Sequence, residues 1–226
     1  YGEAVRAPTL QRECPGCLIG GFRKFLRKAD GKRETSKKRE IANEKRGKGK
    51  GAGITVFKKE VDDLIEANCI LNCVGPPPRT YEYQNVDKAR IEGVEAEFST
   101  DLPSGFNFAV NLTTLDAEDR TTGLPLANRP ELTVNTTLGW HSSDNDWSVA
   151  LRGQYVGEQV NYDGTTRIDL PTYKLWHLNV RKRLNKAFTL RAGVESIGDV
   201  RLADKNDAFS FEERGRFYYV GVDASF

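Results

Sequence analysis

The sequence predicts an all-β chain, an antiparallel transmembrane β-barrel segment of about ten strands belonging to a larger barrel. Three observations predict it. Apolar and polar residues alternate with period two through segment after segment, the mark of strands with one apolar and one polar face. Short and long connections take turns along the chain, as tight periplasmic turns and long extracellular loops do in outer-membrane barrels. Aromatic residues flank the short turns, where an interfacial girdle belongs.

The elements follow in order. A first strand is expected within 1–8. Residues 35–46 are charged and polar around one Ile, so a lipid-facing strand there is costly. Residues 51–67 and 81–99 read as strands, joined by a loop with Cys69, Cys73 and Pro76-Pro77-Pro78. Residues 106–114 set Phe106, Phe108, Val110 and Leu112 opposite Asn107, Asn111 and Thr113. Residues 132–140 set Leu132, Val134, Leu138 and Trp140 opposite Thr133, Asn135 and Thr137. In 147–155, Trp147, Val149, Leu151 and Tyr155 oppose Ser148, Arg152 and Gln154. In 176–181, Trp176, Leu178 and Val180 oppose His177, Asn179 and Arg181. In 188–195, Phe188, Leu190, Ala192 and Val194 oppose Thr189, Arg191 and Glu195. The last segment sets Tyr218, Val220, Val222, Ala224 and Phe226 opposite Tyr219, Asp223 and Ser225. Short turns fall at Leu102–Gly105, Ser142–Asp146 and Asn185–Lys186, and long loops at 68–80, 120–130, 161–172 and 203–214. The girdle residues are Phe98, Phe106, Trp140, Trp147 and Phe188.

Composition narrows the class. The 226 residues are 38% hydrophobic and 29% charged, with no Met. No run of ~18 apolar residues exists for a transmembrane helix, whereas alternating strands dilute hydrophobicity and leave a barrel open. The chain opens at Tyr1 with no secretory leader pattern, so a piece that begins upstream is expected. Charge is uneven: residues 1–59 hold 17 Lys+Arg against 6 Asp+Glu, and the remainder 17 against 26. That asymmetry suits nucleic-acid or acidic-surface binding through 23–50, or simply a solvated loop and strand face.

Four cysteines form two close pairs, Cys14/Cys17 and Cys69/Cys73. Zinc tolerates the spacing but finds no nearby His. Cys14-Pro15-Gly16-Cys17 resembles a redox dithiol without the βαβ context one needs. Two local disulfides in exposed loops, in an oxidising compartment, are the simplest reading. Four cysteines still allow three pairings.

Positive signs of catalysis are missing. His141 and His177 stand apart, and no nucleophile–base spacing or phosphate loop accompanies them. Gly47-Lys48-Gly49-Lys50-Gly51 lacks P-loop spacing and reads as a turn. Asp144-Asn145-Asp146 lacks the remainder of a calcium loop. Asn111-Leu112-Thr113 and Asn135-Thr136-Thr137 match glycosylation acceptors but sit in strands. No enzyme activity, metal or cofactor is expected.

Several strings carry a family resemblance. They are Tyr1-Gly2-Glu3-Ala4-Val5-Arg6-Ala7-Pro8-Thr9-Leu10, Glu34-Thr35-Ser36 and Gly53-Ile54-Thr55-Val56-Phe57 with Asp63-Leu64-Ile65. Asn85-Val86-Asp87-Lys88-Ala89-Arg90-Ile91-Glu92-Gly93-Val94-Glu95 follows, then Leu190-Arg191-Ala192-Gly193-Val194, Gly198-Asp199 and Gly215-Arg216-Phe217-Tyr218-Tyr219-Val220. Together they resemble the C-terminal end of TonB-dependent outer-membrane receptors, in the catecholate-siderophore and colicin I receptor group. Residues 23–50 are more basic than that family usually shows, and Ser196-Ile197-Gly198-Asp199 replaces its usual Asn-Leu-x-Asp string.

The resemblance implies a 22-stranded barrel with an N-terminal plug and a TonB box, of which residues 1–226 would be the C-terminal barrel part, without plug or upstream strands. It implies uptake of a ferric siderophore, catecholate in type, across the bacterial outer membrane, driven by TonB through the plug. Colicin or phage binding is a further implied role. Heme, cobalamin or other nutrient receptors share the barrel. A structural or adhesive surface barrel, and more remotely a nucleic-acid-binding β-domain, are the competing classes; no nucleic-acid partner is expected on the leading reading. A ferric catecholate is anionic and aromatic, so guanidinium groups and aromatic rings in the long loops are its candidate contacts. These are Arg79, Tyr81, Tyr83, Arg120, Arg129, Tyr162, Arg167, Phe209, Phe211 and Arg214. Ordinary loop solvation or rim packing is the plain alternative for each. The polar strand face with Arg152, Gln154, Arg181, Arg191 and Glu195 should line the lumen and meet the plug. Tyr218, Val220, Val222, Ala224 and terminal Phe226 should face lipid and resemble the signal read by the barrel-assembly machinery.

Overall fold

The computed structural model describes residues 2–6, 17–19, 23–27, 33–72, 79–209, 213 and 215–224. Fourteen strands are present among them. They are β1 (Gly2–Arg6), β2 (Cys17–Ile19), β3 (Arg23–Arg27), β4 (Glu34–Gly47), β5 (Lys50–Leu71), β6 (Arg79–Asp101) and β7 (Phe106–Asp119). They continue with β8 (Leu132–His141), β9 (Trp147–Val156), β10 (Gln159–Asp163), β11 (Thr166–Leu170), β12 (Tyr173–Arg183), β13 (Phe188–Glu195) and β14 (Phe217–Ala224). The main path runs β1-β4-β5-β6-β7-β8-β9-β12-β13-β14, ten strands with every neighbouring pair antiparallel. Among the described residues the path ends at β1, which covers β4 only from Glu34 to Lys38, and at β14, so the sheet is an open wall and not a closed barrel.

The short turns lie where expected, at 102–105, 142–146 and 184–187, and a fourth at Lys48–Gly49 joins β4 to β5. Gly105 shows why the 102–105 turn is tight. Its φ is +81°, and a Cβ there would lie 2.1 Å from the His141 carbonyl oxygen, so only glycine fits. Trp140 Nε1 donates to Ser104 O at 3.1 Å and ties the same turn to β8.

The long connections are more structured than the sequence suggests. β5 and β6 extend into the expected 68–80 loop and shorten it to 72–78, because polar extended backbone pairs as readily as apolar. The expected 161–172 loop is instead largely a hairpin, β10 against β11, turning at Gly164. The basic stretch 35–46 does form a strand: β4 pairs with β5 from Thr35 to Gly47, its ladder independent of side-chain polarity. Its basic groups lie on both faces, since Lys38 and Arg46 alternate with Lys37, Arg39 and Lys45, against the one-sided pattern a nucleic-acid strand needs.

One face is apolar and exposed. The row Phe108–Leu138–Leu151–Leu178–Val194–Tyr218 crosses six strands. It starts beside a short turn and ends at the long-connection end, the stagger a tilted barrel wall requires. Leu138, Trp176 and Val220 on this face are 43%, 45% and 76% exposed, a surface suited to lipid. Phe106 and Trp140 lie 6.5 Å apart at its short-turn border, and Lys182 Nζ sits 4.7 Å from the Trp147 ring centroid. The girdle expected at Phe98, Phe106, Trp140, Trp147 and Phe188 is thus in place, and Tyr218, Val220, Val222 and Ala224 are exposed on β14. Phe226 lies outside the described residues.

Candidate functional site

Chemistry-bearing side chains gather at the long-connection end, on the inner face. On the outer face the apolar band of β5 ends at Val56, and Lys58 follows, paired with Glu92 at 3.5 Å. Beyond this level Asp63 takes a left-handed φ of 55°, with Asn85 Nδ2 donating to its carbonyl at 2.8 Å. One residue in that conformation resets the period-two alternation. Val61 and Leu64, three positions apart, therefore share one buried cluster with Ala89, Ala117 and Leu126. The same reset turns Glu66 inward.

Leu126 reaches this cluster because the connection 120–131 folds back onto the wall. Leu126 N donates to Ala117 O at 2.8 Å, and Asn128 N to Val160 O at 2.8 Å. Arg129 Nη2 donates to Glu66 Oε1 at 2.9 Å. Tyr162 OH donates to Pro125 O at 2.8 Å, joining the β10–β11 hairpin to the same connection. The segment 196–209 closes over the other side, where Leu202, Ala208 and Phe209 pack on Leu170, Tyr173 and Leu175. Asn161 Nδ2 donates to Ala208 O, tying that segment to the hairpin.

Two concavities flank the connection and share Pro125. The larger, about 1040 Å³, is lined by Phe57, Gly93, Leu115, Arg129, Glu131 and Gln159. Gly93 shapes its floor: a Cβ there would sit 2.1 Å from Thr114 O and 3.0 Å from Phe57 Cζ. Gln159 is 4% exposed, and its amide Nε2 has no hydrogen-bond partner among the described residues. An unpaired buried donor costs about 1–3 kcal/mol, so the wall of the site holds a buried N–H that lacks an acceptor among the described residues. The smaller concavity, about 450 Å³, is lined by Glu66, Gln84, Asp119, Asn161 and Tyr162. Burial pushes the Glu66 carboxyl above the usual carboxylate range, against the pull of Arg129. Burial also pushes the Tyr162 phenol up.

The ten loop candidates do not converge on one point. Arg129 lines the larger concavity and Tyr162 the smaller. Arg120 is exposed beside Glu118 at 3.6 Å, and Arg167 is exposed with its Nε donating to Asp169 at 2.8 Å. Phe209 is 3% exposed and meets Tyr173 edge-on at 5.8 Å, so it packs a core and offers no free stacking face. Tyr81 is buried against Cys69 and Ala67, while Tyr83 is half-buried. Arg79 is described by its backbone alone, at the start of β6; Phe211 and Arg214 lie outside the described residues. Residue type was the signal for those ten, and Gln159 carries neither charge nor ring. Glu66 was hidden differently, because strict alternation from Ile54 places it on the outer face.

Lower on the inner face, Arg191 Nε lies 2.8 Å from Asp223 Oδ2. His177 touches Glu195, and Tyr219 OH donates to Asn179. Arg152 pairs across from His177, and Arg181 from Arg191, a continuous polar wall. Cys69 is disulfide-bonded, while Cys14 and Cys73 lie outside the described residues. Cys17, Phe25, Tyr81 and Cys69 fall on one line across β2, β3, β6 and β5. Three strand spacings, ~14 Å, are too far for a Cys17–Cys69 bridge. Among the described residues no His, Cys, Asp and Glu cluster suits a metal ion.

Comparison with known proteins accounts for this wall. Residues 1–195 match the family model of the TonB dependent receptor-like β-barrel. The ferric enterobactin receptor PirA of Pseudomonas aeruginosa is 30% identical over 85% of this chain and 28% of its own length. The ferrienterobactin receptor of Escherichia coli is 28% identical over 99% of this chain and 35% of its own. A crystal structure of a ferric enterobactin receptor variant from Pseudomonas aeruginosa superposes with a TM-score of 0.72 at 26% identity, covering 99% of this chain and 37% of that one. The chain spans about a third of the length of these relatives. It belongs to the TonB-dependent receptor β-barrel family.

Proposed function

We propose that this chain is the C-terminal wall of an outer-membrane receptor that takes up a ferric siderophore, catecholate in type, in a TonB-dependent cycle. Family members are transporters and not enzymes. The observation that carries the reading is the larger concavity at the long-connection end. It offers a phenyl ring (Phe57), a guanidinium (Arg129) and an unpaired amide donor (Gln159) within about 1040 Å³. That volume is at the upper end of small-molecule sites, and those groups suit an anionic aromatic complex with exposed acceptor oxygens. The names of the relatives support the same ligand class.

In the complete receptor, the remaining strands close the two open edges and a plug docks on the polar wall around Arg152, Arg181 and Arg191. TonB acts through that plug. Cys69 then pairs with Cys73 and Cys14 with Cys17, the two local bridges; the distance from Cys17 to Cys69 removes one of the two alternative pairings. Phe226 serves as the assembly signal at the end of β14: Phe226→Ala in the full-length receptor lowers the amount of folded barrel and leaves ligand affinity per folded receptor unchanged. Equilibrium binding to the full-length receptor in vesicles tests the ligand class. A ferric tricatecholate should bind and a ferric trihydroxamate should not; the reverse preference rejects the proposal.

A further inference from the structure

The β4–β5 hairpin tip carries Lys45, Lys48 and Lys50, all exposed. Lys45 pairs across from Ala52, and Ala52 from Phe98, so Lys45 shares the lipid-side row of a girdle aromatic. Lys50 stands two residues before Ala52 and so lies on that face as well. Lys48 forms the turn itself. Nearby acids are placed elsewhere. Glu44 is held by Arg46, and both alternate onto the inner face. Glu97 pairs across from Gly53 and Asp101 across from Asn107, again on the inner face, although the Asp101 carboxylate comes close to Gly49. Among the described residues, none of the three ammonium groups has an ion-pair or hydrogen-bond partner. By contrast Lys38, Lys58 and Lys182 each meet a carboxylate.

We propose that Lys45, Lys48 and Lys50 form a headgroup site for anionic phospholipid in the leaflet at the short-turn end. This rests on the membrane-barrel reading above. An aromatic girdle marks the level of the lipid headgroups. Lysines at that level extend their apolar stems along the acyl boundary and their charges toward phosphate. Three unpaired charges within six residues, two on the lipid-side face and Lys48 at the turn between them, therefore select a phosphodiester headgroup with net negative charge over a zwitterionic one.

Native mass spectrometry of the full-length receptor, given equal phosphatidylglycerol and phosphatidylcholine, tests this. The wild type should retain phosphatidylglycerol preferentially, by about fivefold per lysine at low salt. K45Q/K48Q/K50Q should lose the preference, and K45R/K48R/K50R should keep it. An unchanged preference in the Gln variant overturns the assignment. Displacement of lipid by inorganic phosphate at equal concentration overturns it too, since that marks a free-anion site. A receptor that takes up both lipids equally defeats this site alone. One that stays soluble and takes up neither defeats the membrane reading itself.

Discussion

Arg129 and Glu66, 63 positions apart in sequence, meet at 2.9 Å and pin the β7–β8 connection to the inner face of β5. The pair lies beyond the apolar band, at the mouth of the wall. Glu66 is 10% exposed in its side chain and Arg129 37%. The carboxyl is therefore the group that burial penalises, and the guanidinium is what offsets that cost.

Arg129→Ala should release the connection. Losing one partner of a buried pair costs several kcal/mol, reduced here to about 1–2 kcal/mol because Arg129 is part-exposed. The pH dependence has a definite sign. A carboxyl raised above its unfolded value contributes stability that is present below that value and lost as pH rises through the folded one. In Arg129→Ala the upward shift grows, so the loss at neutral pH deepens and recovers as pH falls toward 4.5. Hydrogen-exchange protection at Leu126 and Asn128, whose amides are bonded across the fold, reads this directly. Equal protection in both proteins at neutral pH contradicts it.

Gln159→Leu should weaken ferric catecholate binding by about tenfold, the worth of one hydrogen bond to a charged acceptor. Folding should be unchanged or slightly improved, because the variant removes a buried donor that has no partner. Fluorescence quenching by the ligand, beside a thermal melt of the same sample, separates the two effects. Unaltered affinity removes Gln159 from the site.

Phe209 and Arg167 make a contrasting pair among the loop candidates. Phe209→Ala should cost about 3 kcal/mol by emptying the cluster around Tyr173 and Leu170. Arg167→Ala should leave stability essentially unchanged, since both it and its partner Asp169 are exposed. Denaturant unfolding of the two variants checks the contrast, and comparable losses would contradict this placement.

Peptide mapping without reduction should find Cys69 joined to Cys73 and Cys14 to Cys17. A Cys69–Cys17 peptide would mean that the β2–β3 pairing against β6 is wrong.

What the sequence made legible was whatever follows from period and punctuation. Strands such as β7 to β9 alternate without interruption, and glycine or Asn/Asp turns close them, so their bounds came out within a few residues. The 35–46 strand was obscured because its side chains contradict its setting, while its ladder to β5 depends on backbone alone. Asp63 hid part of the site: a single left-handed residue moves Leu64 and Glu66 to the face that alternation denies them. Phe209 was misdirected by chemistry, since an aromatic residue in a loop satisfies burial as well as ligand stacking. The connection 120–131 gave no sign that it folds inward, because the contacts of Leu126 and Arg129 are with strands far along the chain.

The central claim is that this wall belongs to a receptor importing a ferric catecholate. The most direct measurement is iron accumulation from a radiolabelled ferric tricatecholate by cells lacking their own catecholate receptors and expressing the full-length receptor. Accumulation should require TonB, and Gln159→Leu should lower it at limiting ligand. Accumulation from a trihydroxamate or heme instead, or equal catecholate uptake with and without TonB, would contradict the account.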